Sequence, residues 1–294
     1  MNMINNFTKC GFAAIVGRPN SGKSFLINAI INENIMLVSN KLNATRKRMN
    51  IVVMHNETQI IFMDTPGIHQ KEKLLNKFML EETMKAMCDC DIAIFVASLM
   101  DDIKHYEEFL AMNNKKHILV LSKIDRYSRE QIYKQINLYN KYKDKYESII
   151  PVSSKNNINI KNLIDEVSRH IPKSPYLYDV DLISTNSIRE IYREKIREAI
   201  FNRINKEVPY ESCVDIKSIK ETETIDVLKA NIIVEKYSQK IIMIGRNGNT
   251  IKNIGIFARK SIEEFSGKKV FLKLNVIVKR GWSKDKNMIQ VYNK

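Results

Sequence analysis

The chain has 294 residues, enough for two domains with separate cores and large for one. Its formal net charge of +15 is uneven, since residues 1–172 hold 24 basic and 18 acidic residues whereas residues 236–294 hold 14 basic and 3 acidic. The four cysteines show neither a C-x-x-C pair nor a His at zinc-ligand spacing, which argues against a disulfide framework or a zinc site, and apolar runs such as 92–97 fall far short of the about 20 residues that span a bilayer.

The N-terminus carries no recognisable secretory signal, so a cytoplasmic location is expected. The first apolar run, 12–17, reads as a buried strand and leads into Gly17-Arg18-Pro19-Asn20-Ser21-Gly22-Lys23-Ser24, which is followed by a helix-like run. G-x-x-x-x-G-K-S in that context is a phosphate-binding loop. Backbone N–H groups at the helix start surround phosphate oxygens there, Lys23 reaches the β- and γ-phosphates, and Ser24 ligates magnesium.

Between this helix and the second strand lies a basic loop, 39–48, whose Thr45 is the candidate to cap magnesium and sense the γ-phosphate. From the residues alone, an ordinary exposed threonine is an equal reading. Runs 50–55 and 59–64 are separated by a connection too short for a crossover helix, so they are expected to pair as an antiparallel hairpin. At the end of the second run stands Asp64-Thr65-Pro66-Gly67-Ile68. Asp64 holds magnesium through water, and Gly67 offers its N–H to the γ-phosphate. Ile68 occupies a position where a glutamine would orient the attacking water, so catalysis falls to Lys23, Thr45, Gly67 and the metal.

Further apolar runs at 92–98, 117–122 and 148–153 alternate with helical segments near 71–88, 103–113, 128–146 and 158–170. This alternation predicts an α/β doubly wound sheet with ligands at the carboxyl ends of its strands. Ser122-Lys123-Ile124-Asp125 ends the fifth strand as a variant of N-K-x-D, and Asp125 can accept hydrogen bonds from the ring N–H and exocyclic amine of guanine. Adenine lacks that donor pair. Ser153 and Ser154 end the sixth strand in a sequence similar to S-A-K, which contacts the base from the other side.

Residues 1–172 are thus expected to form one domain, 173–186 a linker and 187–294 a smaller α+β domain with a basic tail. Ser187 with Glu190 is a capping-box pattern opening a helix. Strands near 211–220 and 226–235 follow, and then Gly245-Arg246-Asn247-Gly248 between two helical runs. G-x-x-G so placed fits the loop of a KH domain, which grips about four single-stranded nucleotides. Asn247-Gly248 is also a common hairpin turn. Arg246, Lys252, Arg280 and Lys284 are the candidates for phosphate contact, and Trp282 is either a base-stacking ring or an anchor for the tail. A basic end of this kind suits RNA, DNA or an anionic membrane surface.

Together these residues resemble the translation-factor-related GTPases, and the phrase Cys10-Gly11-Phe12-Ala13-Ala14-Ile15-Val16-Gly17-Arg18-Pro19-Asn20 is similar to the Era family in particular. Glu207-Val208-Pro209-Tyr210, the run from Ile254 to Lys260, and Lys279-Arg280-Gly281-Trp282-Ser283 extend the resemblance over nearly the whole chain. It implies a P-loop GTPase domain followed by a type II KH domain, with GTP or GDP and Mg2+ as cofactors. It supports Thr45, because the family's first switch ends T-T-R where this chain reads Ala44-Thr45-Arg46. Two departures stand out: Ser122 replaces an Asn that contacts the base and braces its loop, and Ser21 replaces a residue that is usually Val.

Ile68 in place of a water-orienting glutamine predicts slow hydrolysis, on the order of 10⁻⁴ to 10⁻² per second by analogy with unassisted GTPases. The partners implied by the resemblance are the 3′ end of small-subunit ribosomal RNA and the small subunit itself, bound by a monomer during maturation, with peripheral contact at the inner membrane. The competing reading is an RNA-binding assembly scaffold in which GTP is a conformational clamp and hydrolysis is incidental.

Overall fold

The computed structural model describes residues 8–32, 35–36, 45–46, 48–67, 74–204, 207–285 and 287–289; Ile68 lies outside them. They divide into two compact units, one holding most residues up to Thr185 and the other those from Asn186 onward together with 35–36 and 74–77.

The first unit is a six-stranded sheet in the order β2-β3-β1-β4-β5-β6, formed by β1 Lys9–Gly17, β2 Met49–His55, β3 Thr58–Asp64, β4 Ile92–Ser98, β5 His117–Ser122 and β6 Tyr146–Pro151. Only β2 with β3 runs antiparallel, as the short connection dictates. Every residue of β3 and β5 is buried, which requires cover on both faces of the sheet and explains why these strands read as continuous apolar runs. The cover comes from α1 Lys23–Ile31, α2 Leu74–Asp89, α3 Lys104–Met112, α4 Arg129–Tyr139 and α5 Ile160–His170. Beyond α5 the chain returns to the β2–β3 hairpin: Val52 N–H donates to the carbonyl of Ile183, and the Gln59 amide accepts from the N–H of Leu177 and Tyr178.

In the second unit, α6 Ile188–Arg203 begins at Ser187, whose side chain accepts from the N–H of Glu190 while the Glu190 carboxylate caps in return. β7 Ser212–Lys220 and β8 Ile225–Val234 are antiparallel, and β9 Lys269–Val278 joins β8 in parallel. Between β8 and β9 come α7 Tyr237–Ile244 and α8 Asn249–Ser266. Val270 and Val276 are buried, and Leu272, Leu274 and Val278 pack beside them against the core of Ile196, Ile200, Leu228, Ile232, Ile254 and Ile262. Trp282 is fully buried with Cys213 and Ile233, and its Nε1–H donates to the carbonyl of Glu211. Of its two sequence readings, the anchor is the one realised. Among the described residues no helix is long and apolar enough to cross a membrane.

Candidate functional site

β1 ends at Gly17 and α1 starts at Lys23, so the glycine-rich loop leaves the carboxyl edge of the central strand and runs straight into a helix N-terminus. Lys23 is buried, and its Nζ donates to the carbonyls of Gly17 (3.1 Å) and Arg18 (2.8 Å). Burial pushes its ammonium down from 10.5 to about 8, against the opposing pull of Asp64 and Asp101. The loop carbonyls hold the ammonium where incoming phosphate oxygens would compete for it. Arg18 and Asn20 are exposed on the outside of the loop, where Arg18 meets His105 Nε2 at 2.6 Å.

Three oxygens from distant segments converge beside Lys23. The hydroxyls of Ser24 and Thr45 lie 3.0 and 3.2 Å from Asp64 Oδ2 and 3.1 Å from each other. An all-oxygen set of two hydroxyls and a buried carboxylate suits a hard divalent cation such as magnesium and would not favour a soft thiophilic metal. Thr65 Oγ1 donates to the carbonyl of Ile15 (2.7 Å), and Thr83 Oγ1 donates to that of Pro66 (3.0 Å). Together they fix the turn after β3. Gly67 is then pressed so closely on the phosphate loop that a Cβ there would lie 2.5 Å from the nitrogen of Pro19. Any side chain at Gly67 would therefore force the two loops apart. Thr83 escaped sequence reading because a single threonine inside α2 has no pattern of its own.

Ser122 and Lys123, at the end of β5, lie against the same loop. Ser122 Oγ reaches the carbonyls of Ser21 (2.5 Å) and Ala97 (3.1 Å), and Lys123, in the left-handed region at φ 62, sends its Nζ to the carbonyl of Asn20. Ser122 thus braces the phosphate loop with its one hydroxyl proton and has none left to give a base. Asp125 is exposed, and its Oδ1 accepts from Ser153 Oγ at 2.7 Å, while Ser154 is half-buried next to it in sequence. Ser153 is itself buried, so it sets the carboxylate's orientation before any base arrives.

Ser21 is 1% exposed, and its hydroxyl has no hydrogen-bond partner among the described residues. A buried orphan hydroxyl costs about 1–3 kcal/mol. Replacing it with alanine is expected to raise the stability of the nucleotide-free protein by about 1 kcal/mol, read as a higher midpoint in urea. An unchanged or lower midpoint would show that the hydroxyl is not a liability.

In the second unit, Gly245 (φ 73) ends α7 and Gly248 opens α8, with Arg246 and Asn247 exposed between them. A Cβ on Gly245 would run into Thr250, whereas one on Gly248 would meet nothing within 4 Å. The loop is held from behind and open in front. Lys252 is exposed in the first turn of α8; Arg280 is exposed beyond the end of β9, and no described hydrogen bond or ion pair joins it to the loop. The G-x-x-G loop links two helices and is not a hairpin turn.

Comparison with known proteins covers both units. A family model described as "50S ribosome-binding GTPase" matches residues 12–123, and a KH domain model matches residues 195–283. The GTPase Era of Helicobacter pylori strain P12 is 46% identical over 288 residues, covering 96% of each chain. That of Campylobacter concisus is 45% identical over 282 residues, covering 96% of this chain and 98% of its own. Among solved structures, an Era in complex with MgGDPNP and nucleotides 1506–1542 of 16S ribosomal RNA superposes with a TM-score of 0.92 at 30% identity, over 97% of this chain and 98% of that one. A single-substitution variant of Aquifex aeolicus Era, bound to GDP and AlF4⁻, gives the same TM-score and identity over 97% of this chain and 99% of its own.

Proposed function

The chain belongs to the Era family of GTPases, and from that premise we propose that its nucleotide state governs its hold on the 3′ end of small-subunit ribosomal RNA while that subunit matures. It is a P-loop GTPase that uses GTP, GDP and Mg2+ and carries an RNA-binding KH domain. Full-length similarity to an Era bound at once to MgGDPNP and 16S RNA carries the reading toward the small subunit. The model whose description mentions 50S matches the GTPase unit alone and weighs less.

In this reading residues 1–172 act as the GTPase domain, 173–186 as a linker and 187–294 as the RNA-binding domain. Ser24 and Thr45 would ligate magnesium and Asp64 would hold it through water; the bound ion supplies charge neutralisation on the phosphates. The residues do the rest. Lys23 leaves the carbonyls of Gly17 and Arg18 for the phosphate oxygens, Gly67 directs its N–H toward the γ-phosphate, and Asp125 accepts from guanine. The KH loop takes a single strand through Arg246 and Lys252, the backbone approaching over Gly248. The protein works in the cytoplasm as a monomer on the subunit, and its basic C-terminal region serves RNA in preference to a membrane surface.

Ultraviolet crosslinking to an RNA of the 16S 3′ sequence tests the coupling. Crosslinking is expected to differ by about tenfold between GDP and a non-hydrolysable GTP analogue, a coupling free energy typical of linked sites. Equal crosslinking in the two states would sink it. A hydrolysis-dead variant that still leaves the subunit on schedule would favour the scaffold reading.

A further inference from the structure

The second unit presents a chemically distinctive surface away from its glycine loop. Val270, Leu272, Leu274, Val276 and Val278 of β9 pack against the core, so strand alternation turns the intervening residues to the opposite face of the sheet. The strand register lays that face out in rows. Lys220, Val227 and Phe271 form one row, Ser218, Lys229 and Lys273 the next, and Asp215, Asn231 and Asn275 a third. Phe271 is 58% exposed, and Lys220, Lys229, Lys273 and Asn275 are exposed.

Two features of this face work against folding. Lys229 and Lys273 stand directly opposite each other on neighbouring strands, and like charges so placed are destabilising. Neither has an ion-pair partner among the described residues; the carboxylate on this face, Asp215, is engaged 2.5 Å from Lys217. Beside them Phe271 exposes most of a ring that a solvated face does not need. Unpaired cations beside an exposed aromatic, with the open amide of Asn275 one row beyond the lysines, match the chemistry of single-stranded nucleic acid. Lysines meet phosphates, the ring stacks on a base and the amide bonds a base edge.

We propose that this outer sheet face is a second contact for single-stranded RNA, separate from the G-x-x-G loop. The inference rests on the RNA-binding role proposed above and extends it from the about four nucleotides a KH loop holds to a longer strand. Negative charge complementarity selects the occupant. A bound phosphate between Lys229 and Lys273 would offset the like charge that their register places side by side.

Lys229→Glu provides the test, because it turns a repulsive cross-strand pair into an attractive one. Its thermal midpoint should hold or rise while affinity for a single-stranded RNA of ~20 nucleotides falls about tenfold, and affinity for a tetranucleotide stays unchanged. Phe271→Ser should give a similar loss for the longer RNA alone, as expected for one lost base stack. The double variant Lys229→Gln with Lys273→Gln should reduce the dependence of log affinity on log salt by about 1 for the longer RNA. If long-RNA affinity and salt slope are the same in all these proteins, the face does not contact RNA and the inference falls. Arg246→Glu separates the two claims. If that change leaves tetranucleotide binding intact, the role of the loop itself fails, whatever the sheet variants do.

Discussion

Replacing Asp125 with asparagine is expected to lower GTP affinity by about 10³-fold and to create measurable binding of XTP. In the proposed role the carboxylate would accept from two guanine donors at once. An amide presents one acceptor and one donor group, so it loses a charge-assisted bond and sets an N–H against the exocyclic amine. Xanthine replaces that amine with a carbonyl, which the new amide can satisfy. Sites built to hydrogen-bond a particular group discriminate by about 10⁴–10⁵ where burial is complete. Asp125 is exposed in the nucleotide-free chain and tied on one oxygen by Ser153, so a smaller figure is appropriate. Calorimetric titration of the variant with GTP, XTP and ATP checks it. GTP affinity within about threefold of the parent, under half a decade and so less than one lost hydrogen bond, would remove Asp125 from base recognition.

Replacing Lys23 with methionine should separate stability from activity. Its ammonium is buried with a folded value near 8 against 10.5, so the folded state prefers the neutral amine. The charge therefore opposes folding below pH 8, by on the order of 3 kcal/mol, and this penalty fades as pH rises from about 8 toward 10.5. Methionine removes the penalty and keeps the volume. The nucleotide-free variant is expected to be at least as stable as the parent at about pH 7, with a flatter stability profile above about pH 8. GTP hydrolysis should fall by about 10³-fold or more, because the cation proposed to meet the β- and γ-phosphates would be gone. The same titration gives the parent a second signature: phosphates favour the protonated amine, so nucleotide binding takes up a proton above about pH 8 and weakens as pH rises there. Affinity that is flat from about pH 7 to 9.5, or a variant that hydrolyses GTP within about tenfold of the parent, would contradict this role.

Much of the first unit is legible because its signals are local. A loop between a buried strand and a helix is contiguous in sequence, and so are Asp64 to Gly67 and Ser122 to Asp125. The 54–58 connection decides the β2–β3 direction by length alone, and Ser187 with Glu190 announces α6 through a bond spanning three residues. The strand order β2-β3-β1-β4-β5-β6 has no such local signal, since it depends on which edges meet after the chain has crossed over the sheet.

Residue order alone therefore specified the phosphate loop, the acidic turn, the guanine-type carboxylate and the glycine loop of the second unit, each of which works through neighbouring residues. Folding added whatever depends on the meeting of distant segments. It brought the Thr45 hydroxyl, ambiguous as a lone threonine, to within 3.2 Å of Asp64 and 3.1 Å of Ser24. It turned the Ser122 hydroxyl onto the loop carbonyl of Ser21, left the Ser21 hydroxyl without a partner among the described residues, and buried Trp282 beside Cys213 and Ile233. It also set Lys229 against Lys273, a pairing hidden in sequence because strand register brings residues from separate strands side by side across two intervening helices. Local geometry encodes what a loop can bind; packing selects which side chains share that work.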